Sequence, residues 1–196
     1  MARRGIHLSH EPVRLWSQRI GTDMALKMRV RRRGHSHRKW NMDVTYIKVK
    51  GYDMYLYRAI DKEGNLVDVY LSDTRDKKAA ETFFKSCEVT TGIRPAQITT
   101  DKEPAFPNAI KKAIGNDVTH RDSKYMNNVM EQSHRAIKSR YRPMKGFQNS
   151  WCAMIFCTVF EEIKQFFRMH RKSQSQRRQC FSPRFQEFEK MAITEA

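Results

Sequence analysis

The sequence predicts an α/β fold: a mixed five-stranded sheet, three antiparallel strands followed by parallel ones, flanked by helices and preceded by a short helical piece. Three observations carry this reading. At Trp40 the apolar spacing switches from helical to alternating. Three strand-like runs then follow one another across turns short enough to make them antiparallel neighbours. From Asp76 onward helical and strand segments alternate, as they do where crossover helices join parallel strands.

The elements follow in order. Ser9 is a good N-cap, behind which Val13, Trp16 and Ile20 recur at helical spacing while Arg14 and Arg19 lie off that stripe. Residues 1–26 therefore read as the recognition half of a helix-turn-helix, whose second helix enters the major groove, or as an ordinary amphipathic helix packed on the main domain. Lys27 to Lys39, with Arg31, Arg32, Arg33, Gly34, His35 and Ser36, is polar and aperiodic and reads as a basic linker. Strands are expected from Trp40, over Met54–Ile60 and over Leu66–Leu71, the last two joined by the Asp61–Asn65 loop. Asp76 opens a helix that ends near Gly92. A short buried strand follows at Ala96–Thr100, then a helix from Pro104 to about Ile114, a fifth strand at Val118–His120, and helices at Asn127–Arg140 and Ser150–His170. This order is the layout of ribonuclease H-like folds. The main domain is expected over residues 40–172, with a basic tail at 173–196.

Charge narrows the function. The chain of 196 residues carries 38 Lys and Arg against 21 Asp and Glu, a formal net charge of +17. The excess sits in two blocks around a near-neutral centre at 41–101, which favours a surface that tracks phosphates over a uniformly solvated one. The longest apolar run, Trp151 to Phe160, is closed by Glu161 and Glu162, too short to span a bilayer, and no secretory signal is visible, so a cytosolic location and no membrane partner are expected. Cys87, Cys152, Cys157 and Cys180 form no paired-ligand spacing and read as reduced thiols. His35-Ser36-His37 has no second ligand pair nearby and reads as linker, not zinc site. Trp151 and Phe156 are expected to fill the core.

Three acids suggest chemistry. Asp43 stands in the middle of the first strand, where a carboxylate is costly unless a cation compensates it. Asp101 follows the fourth strand, at the end where α/β sheets hold their ligands. Glu131 lies on the helix after the fifth strand. Each has a plainer reading: an edge-strand charge, an N-cap for the Pro104 helix, a solvated helix position. Together, in this topology, they converge into a hard-oxygen site for two Mg²⁺ ions, with Mn²⁺ as a substitute. Paired metals of that kind serve in-line displacement at phosphorus. His134, one turn beyond Glu131, is a candidate for proton transfer or DNA contact, though helix histidines are often neither.

On four motifs the chain resembles the DDE transposases of bacterial insertion sequences, most closely the insertion-sequence family six group. They are Trp40-x-x-Asp43-x-Thr45-Tyr46-x-Lys48-Val49; Tyr55-Leu56-Tyr57-Arg58-Ala59-Ile60-Asp61; Thr100-Asp101-Lys102-x-Pro104-Ala105; and His120-Arg121-x-x-Lys124-Tyr125-x-Asn127-Asn128-x-x-Glu131-x-x-His134-x-x-x-Lys138. The resemblance covers about residues 8 to 170. It implies an RNase H-like integrase catalytic core in which Asp43, Asp101 and Glu131 are catalytic and bind Mg²⁺, with Lys138 contacting DNA near the cleaved end. It also implies strand cleavage and 3′-hydroxyl strand transfer on transposon ends and target DNA, in a bacterial cytosol at the nucleoid, by a homo-oligomer. Arg4-Gly5-Ile6 through Trp16 match only the recognition helix of the family's N-terminal helix-turn-helix. Lys124, Arg135, Arg140, Arg14 and Arg19 complete the expected DNA-binding set.

Two other readings compete. One is a catalytically inactive, shortened DNA-binding remnant that modulates an intact transposase. The other is a cellular ribonuclease H-type nuclease, which the basic N-terminal helix and the His120–Lys138 block disfavour.

Overall fold

In a computed structural model of the chain, residues 9–101, 103–122, 128–144, 146–169 and 173–193 are described, with the side chains of 13, 128–133 and 193 outside that set. The elements are α1 (His10–Arg31), β1 (Lys39–Val49), β2 (Tyr52–Asp61), β3 (Leu66–Ser72), α2 (Lys77–Thr91), β4 (Gln97–Thr100), α3 (Ala105–Ala113), β5 (Thr119–Asp122), α4 (Asn128–Tyr141), α5 (Ser150–Phe166) and α6 (Gln174–Ile193). One five-stranded sheet has the order β3-β2-β1-β4-β5. Its β1–β2 and β2–β3 pairs are antiparallel; its β1–β4 and β4–β5 pairs are parallel. The expected mixed sheet is therefore observed, with β1 at its centre.

Local chemistry explains most of these boundaries. Lys50 and Gly51 both take positive φ, 52° and 85°, the left-handed pair a two-residue hairpin between β1 and β2 requires. Asp61 organises the next hairpin: Oδ1 accepts from the backbone N–H groups of Glu63 and Asn65, and Oδ2 accepts from His37 N–H and the Asn65 amide. The Asp76 carboxylate caps α2 by accepting from Ala79 N–H at 2.7 Å. Gly92 ends that helix at φ 65°, and a Cβ there would stand 2.9 Å from Arg33 Nε. Gly92→Ala is expected to cost about 1–2 kcal/mol, the price of the left-handed conformation for an L side chain, which urea denaturation would measure.

Alternation along β1 sends its two faces to two cores. Trp40 and Met42 pack with Tyr57, Phe83, Phe84, Ile98, Phe106 and Ile110 under α2 and α3. Ile47 and Val49 pack with Leu56, Ile137, Phe147 and Cys157 under α4 and α5. Asp43 shares the parity of the second set, so it faces α4. Among the described residues no helix is long and apolar enough to cross a membrane. Cys87 and Cys157 are buried, and Cys152 and Cys180 half-buried.

Four expectations need correction. The linker expected at Lys27–Lys39 begins inside a helix: α1 runs unbroken through Arg31 and packs on α5, so a boundary at residue 26 would cut it. Its last turns are held by buried acids, with Arg29 donating to Asp68 Oδ1 and Glu162 Oε1 and Arg32 bonded to both Glu162 oxygens. The tail at 173–196 is largely α6, fastened by the Arg31–Glu187 ion pair, by Lys27 donating to Met191 O, and by Phe181 and Phe188 against Phe167. Trp151 is 63% exposed instead of buried, because it stands on the first turn of α5 beside the open side of α1, while Phe156 packs on Phe147 as expected. Finally, α5 ends at Phe166, not His170; Glu161 and Glu162, which close the apolar run, are 1% and 0% exposed.

Candidate active site

The parallel ladder between β1 and β4 pairs Trp40 with Ile98 and Asn41 with Thr99. Continued by two residues, the same register sets Asp43 beside Asp101, on strands about 4.8 Å apart. The plainer readings of these two acids do not hold. Asp43 lies on the central strand, not an edge, and α3 is preceded by Pro104 with no side-chain cap.

Their surroundings differ. Asp43 Oδ1 accepts from Val44 N–H at 2.8 Å, and Oδ2 lies 3.3 Å from Nε2 of the buried His134 on α4. That last contact is close but not aligned: among the described residues neither His134 ring nitrogen has a hydrogen-bond partner. Across the antiparallel ladder Asp43 faces Arg58, itself buried and ion-paired with Glu161 of α5 at 2.8 Å. Asp101 Oδ2 is 3.3 Å from an Arg75 guanidinium nitrogen, whereas Oδ1 is buried with no partner among the described residues. Burial, and then the nearby Asp43 charge, push the Asp101 carboxyl above its ordinary pKa, and Arg75 offsets only part of this. The same Arg75 reaches Glu103 Oε2 at 2.9 Å and its other terminal nitrogen reaches Tyr46 Oη at 3.5 Å. Behind Asp101, Thr100 Oγ1 and His120 Nε2 are 2.9 Å apart, tying β4 to β5, and burial lowers the His120 pKa.

Glu131 lies in the first turn of α4, three residues before His134. Residues at that spacing share a helix face, so its backbone is on the stretch of α4 that meets β1 near Asp43. Its side chain is outside the described residues, and so is Lys124 entirely. Among the described residues no three His, Cys, Asp or Glu side chains form a metal-binding group. Lys138 follows His134 by one turn and is half-buried, with Arg135 and Arg140 exposed. Arg14 and Arg19 are exposed on α1, the former bonded to Glu11 and the latter lining an open groove with Trp16, Ile20 and Trp151.

The sequence did not single out Arg75 or Glu103. Neither sits in a periodic pattern; the two meet because the β3–α2 and β4–α3 loops end at the same edge of the site.

The chain is similar to known proteins over most of its length. Residues 37–173 match the family model of a DDE domain, that of IS240-type transposases. The transposase for insertion sequence-like element IS431mec of Staphylococcus aureus is 34% identical over 157 residues, 76% of this chain and 69% of that protein. The transposase for insertion sequence element IS257 in transposon Tn4003 of the same organism is 35% identical over 154 residues, 75% and 68% of the two chains. Among solved structures, the HTLV-2 integrase catalytic core domain in complex with magnesium matches with a TM-score of 0.50 at 17% identity, over 74% of this chain and 95% of that one. A chain of the simian T-cell lymphotropic virus intasome matches with a TM-score of 0.51 at 17% identity, over 72% of this chain and 54% of that one. At that identity these two structures bear on the fold, which is the ribonuclease H-like integrase core.

Proposed function

The chain belongs to the DDE transposases of bacterial insertion sequences, and from that premise we propose that it cuts DNA strands at the ends of its element and joins the freed 3′-hydroxyls to target DNA. The observation that carries the reading is the side-by-side placement of Asp43 and Asp101 at the end of the central parallel pair. Among the described residues Asp101 leaves a buried oxygen without a partner, and its pKa is raised first by burial and then by the Asp43 charge, as suits a pair prepared for added positive charge.

These residues fit a hard divalent cation. Asp43, Asp101 and Glu131 would hold Mg²⁺, or Mn²⁺ in its place, through carboxylate oxygens. Bound there, such ions lower the pKa of the attacking hydroxyl and stabilise the leaving oxygen of a phosphodiester. The HTLV-2 integrase core, of like fold, is in complex with magnesium, which supports a divalent-metal reading. The chain's own part is to fix the two aspartates by strand register, to bring α4 over them, and to keep the DNA backbone against them with Lys138, Lys124, Arg135 and Arg140. Arg14 and Arg19 on α1 extend that contact along the duplex. The partners are DNA and further copies of the chain, the latter in keeping with dimeric and trimeric forms of the HTLV-2 core.

The test is incubation with DNA carrying the ends that flank the reading frame, in Mg²⁺ and in Mn²⁺. Nicked strands with 3′-hydroxyls and their joined products support the proposal. Salt-sensitive binding without any cleavage would instead favour the inactive remnant.

Lys138 allows a finer measurement. It lies seven residues, about two turns, past Glu131, and so on the same side of α4. Arg142, in the short 3-10 turn at Arg142–Met144, is an exposed charge close by. Lys138→Ala is expected to reduce strand transfer at least tenfold more than Arg142→Ala, by about the worth of one charge-assisted contact, while both lower bulk DNA affinity modestly. Equal losses of transfer at one ionic strength would leave Lys138 only a generic electrostatic role.

A further inference from the structure

Arg75 enters the carboxylate cluster from the loop between β3 and α2. Its guanidinium is shared by Asp101 and Glu103, with Tyr46 Oη at the rim. The fit is incomplete. Among the described residues Arg75 Nε and Asp101 Oδ1 are both buried without hydrogen-bond partners. Two unsatisfied polar atoms in one small cleft are uncommon in a settled ion pair. They mark an arrangement that another ligand would improve.

The chemistry of the carboxylates identifies what must change. Asp101 would offer a magnesium ion its Oδ1, without a partner among the described residues, or its Oδ2, which lies 3.3 Å from Arg75. A divalent ion at either oxygen would stand near the guanidinium and repel it. Its hold on Asp101 would then weaken, leaving a planar fork of five donors that matches the oxygens of a phosphate. The nearest phosphates in the working site are those of the DNA strand lying on the carboxylates.

On the DDE reading of the site, we propose that Arg75 is a phosphate-binding residue for the DNA backbone, held by Asp101 and Glu103 in the free protein and released to the strand as the carboxylates acquire their cation. The two acids serve as its resting place. The alternative is a permanent ion pair that pins the β3–α2 loop to the β4–α3 loop.

The two accounts separate in a metal-free experiment. Affinity for a labelled DNA duplex is measured in EDTA, at one ionic strength, for wild type, Asp101→Asn and Asp43→Asn, each with and without Arg75→Gln. Both single asparagine variants remove one carboxylate charge, but only Asp101 touches Arg75. In the wild type and in Asp43→Asn, Arg75→Gln is expected to change affinity little, because the guanidinium stays on its acids. In Asp101→Asn, where Glu103 still competes for the guanidinium, it is expected to cost several-fold, up to the roughly tenfold worth of a charge-assisted phosphate contact. Arg75→Lys, which keeps the charge and loses the fork, should recover only part of that loss. An equal cost of Arg75→Gln in all three backgrounds overturns the proposal. Should Asp101→Asn fail to fold, Glu103→Gln frees the guanidinium from its nearer partner and replaces it in the same cycle. Because the experiment uses neither metal nor cleavage, its failure leaves the DDE reading standing, and absence of metal-dependent cleavage would sink that reading whatever the cycle shows.

Discussion

Asp43→Asn and Asp101→Asn are each expected to reduce metal-dependent strand cleavage by about three orders of magnitude or more while leaving salt-sensitive DNA binding in place. Bound metal supplies several kcal/mol of transition-state stabilisation, and each 1.36 kcal/mol is about tenfold in rate. Asparagine keeps the shape of the side chain and removes the charge that holds the cation. The loss is not expected to come from unfolding. Asp101 is penalised in the folded state by burial and by Asp43, and a carboxyl whose folded pKa is raised destabilises the fold when ionised. Thermal unfolding of Asp101→Asn at neutral pH is therefore expected at or above the wild-type temperature. Cleavage within tenfold of wild type by either variant, in Mg²⁺ and in Mn²⁺, would remove these residues from the chemistry.

The reason such a test was visible in the sequence is that its main ingredients are local. The strands announce themselves by alternation and by their turns, as at Lys50-Gly51 and around Asp61. The helix α2 is bounded by a cap and a stop that act within a few residues, Asp76 and Gly92. Once the strand order is known, the register of β1 against β4 puts two aspartates side by side with no further information.

What was not legible depends on distant partners. The Arg31-Arg32-Arg33 run looks like linker because it is polar and aperiodic; the compensation is Glu162, about 130 residues from Arg32, and Glu187 of α6, paired with Arg31. Glu161 and Glu162, which close the apolar run in the sequence, are likewise held by distant partners, Arg58, Arg29 and Arg32. In α6 the periodicity is broken by Pro183, and what fastens the helix is contact between its phenylalanines and Phe166 and Phe167 at the end of α5. Arg75 and Glu103 belong to the same class, since loops that meet at one edge of a sheet leave no periodic trace.

That dependence on distant partners has a measurable consequence at Glu162. Its carboxylate is fully buried and joins Arg29 and Arg32 of α1, and Arg29 also reaches Asp68, where Ser86 and Thr90 donate as well. Replacing a buried pair wholesale by apolar groups is often neutral, but removing one partner strands the other charges and costs about 3–5 kcal/mol. Glu162→Ala leaves Arg29 with Asp68 and Arg32 with the Leu66 and Val67 carbonyls, so a loss toward the lower end of that range is expected. For a chain of this length it corresponds to a fall in unfolding temperature on the order of 10 °C. Exposed Glu11, paired with Arg14 on the same helix, is the control, and Glu11→Gln should leave stability unchanged within error. The two effects also divide the helix functionally. If α1 carries DNA contacts through Arg14 and Arg19, loosening its far end at Glu162 should weaken DNA binding below the unfolding transition, although Glu162 itself is buried away from any duplex. Urea denaturation of both variants, with DNA affinity measured alongside, checks the expectation. A Glu162→Ala loss no larger than that of Glu11→Gln would show that apolar packing on α5, and not the ionic network, holds α1 to the sheet.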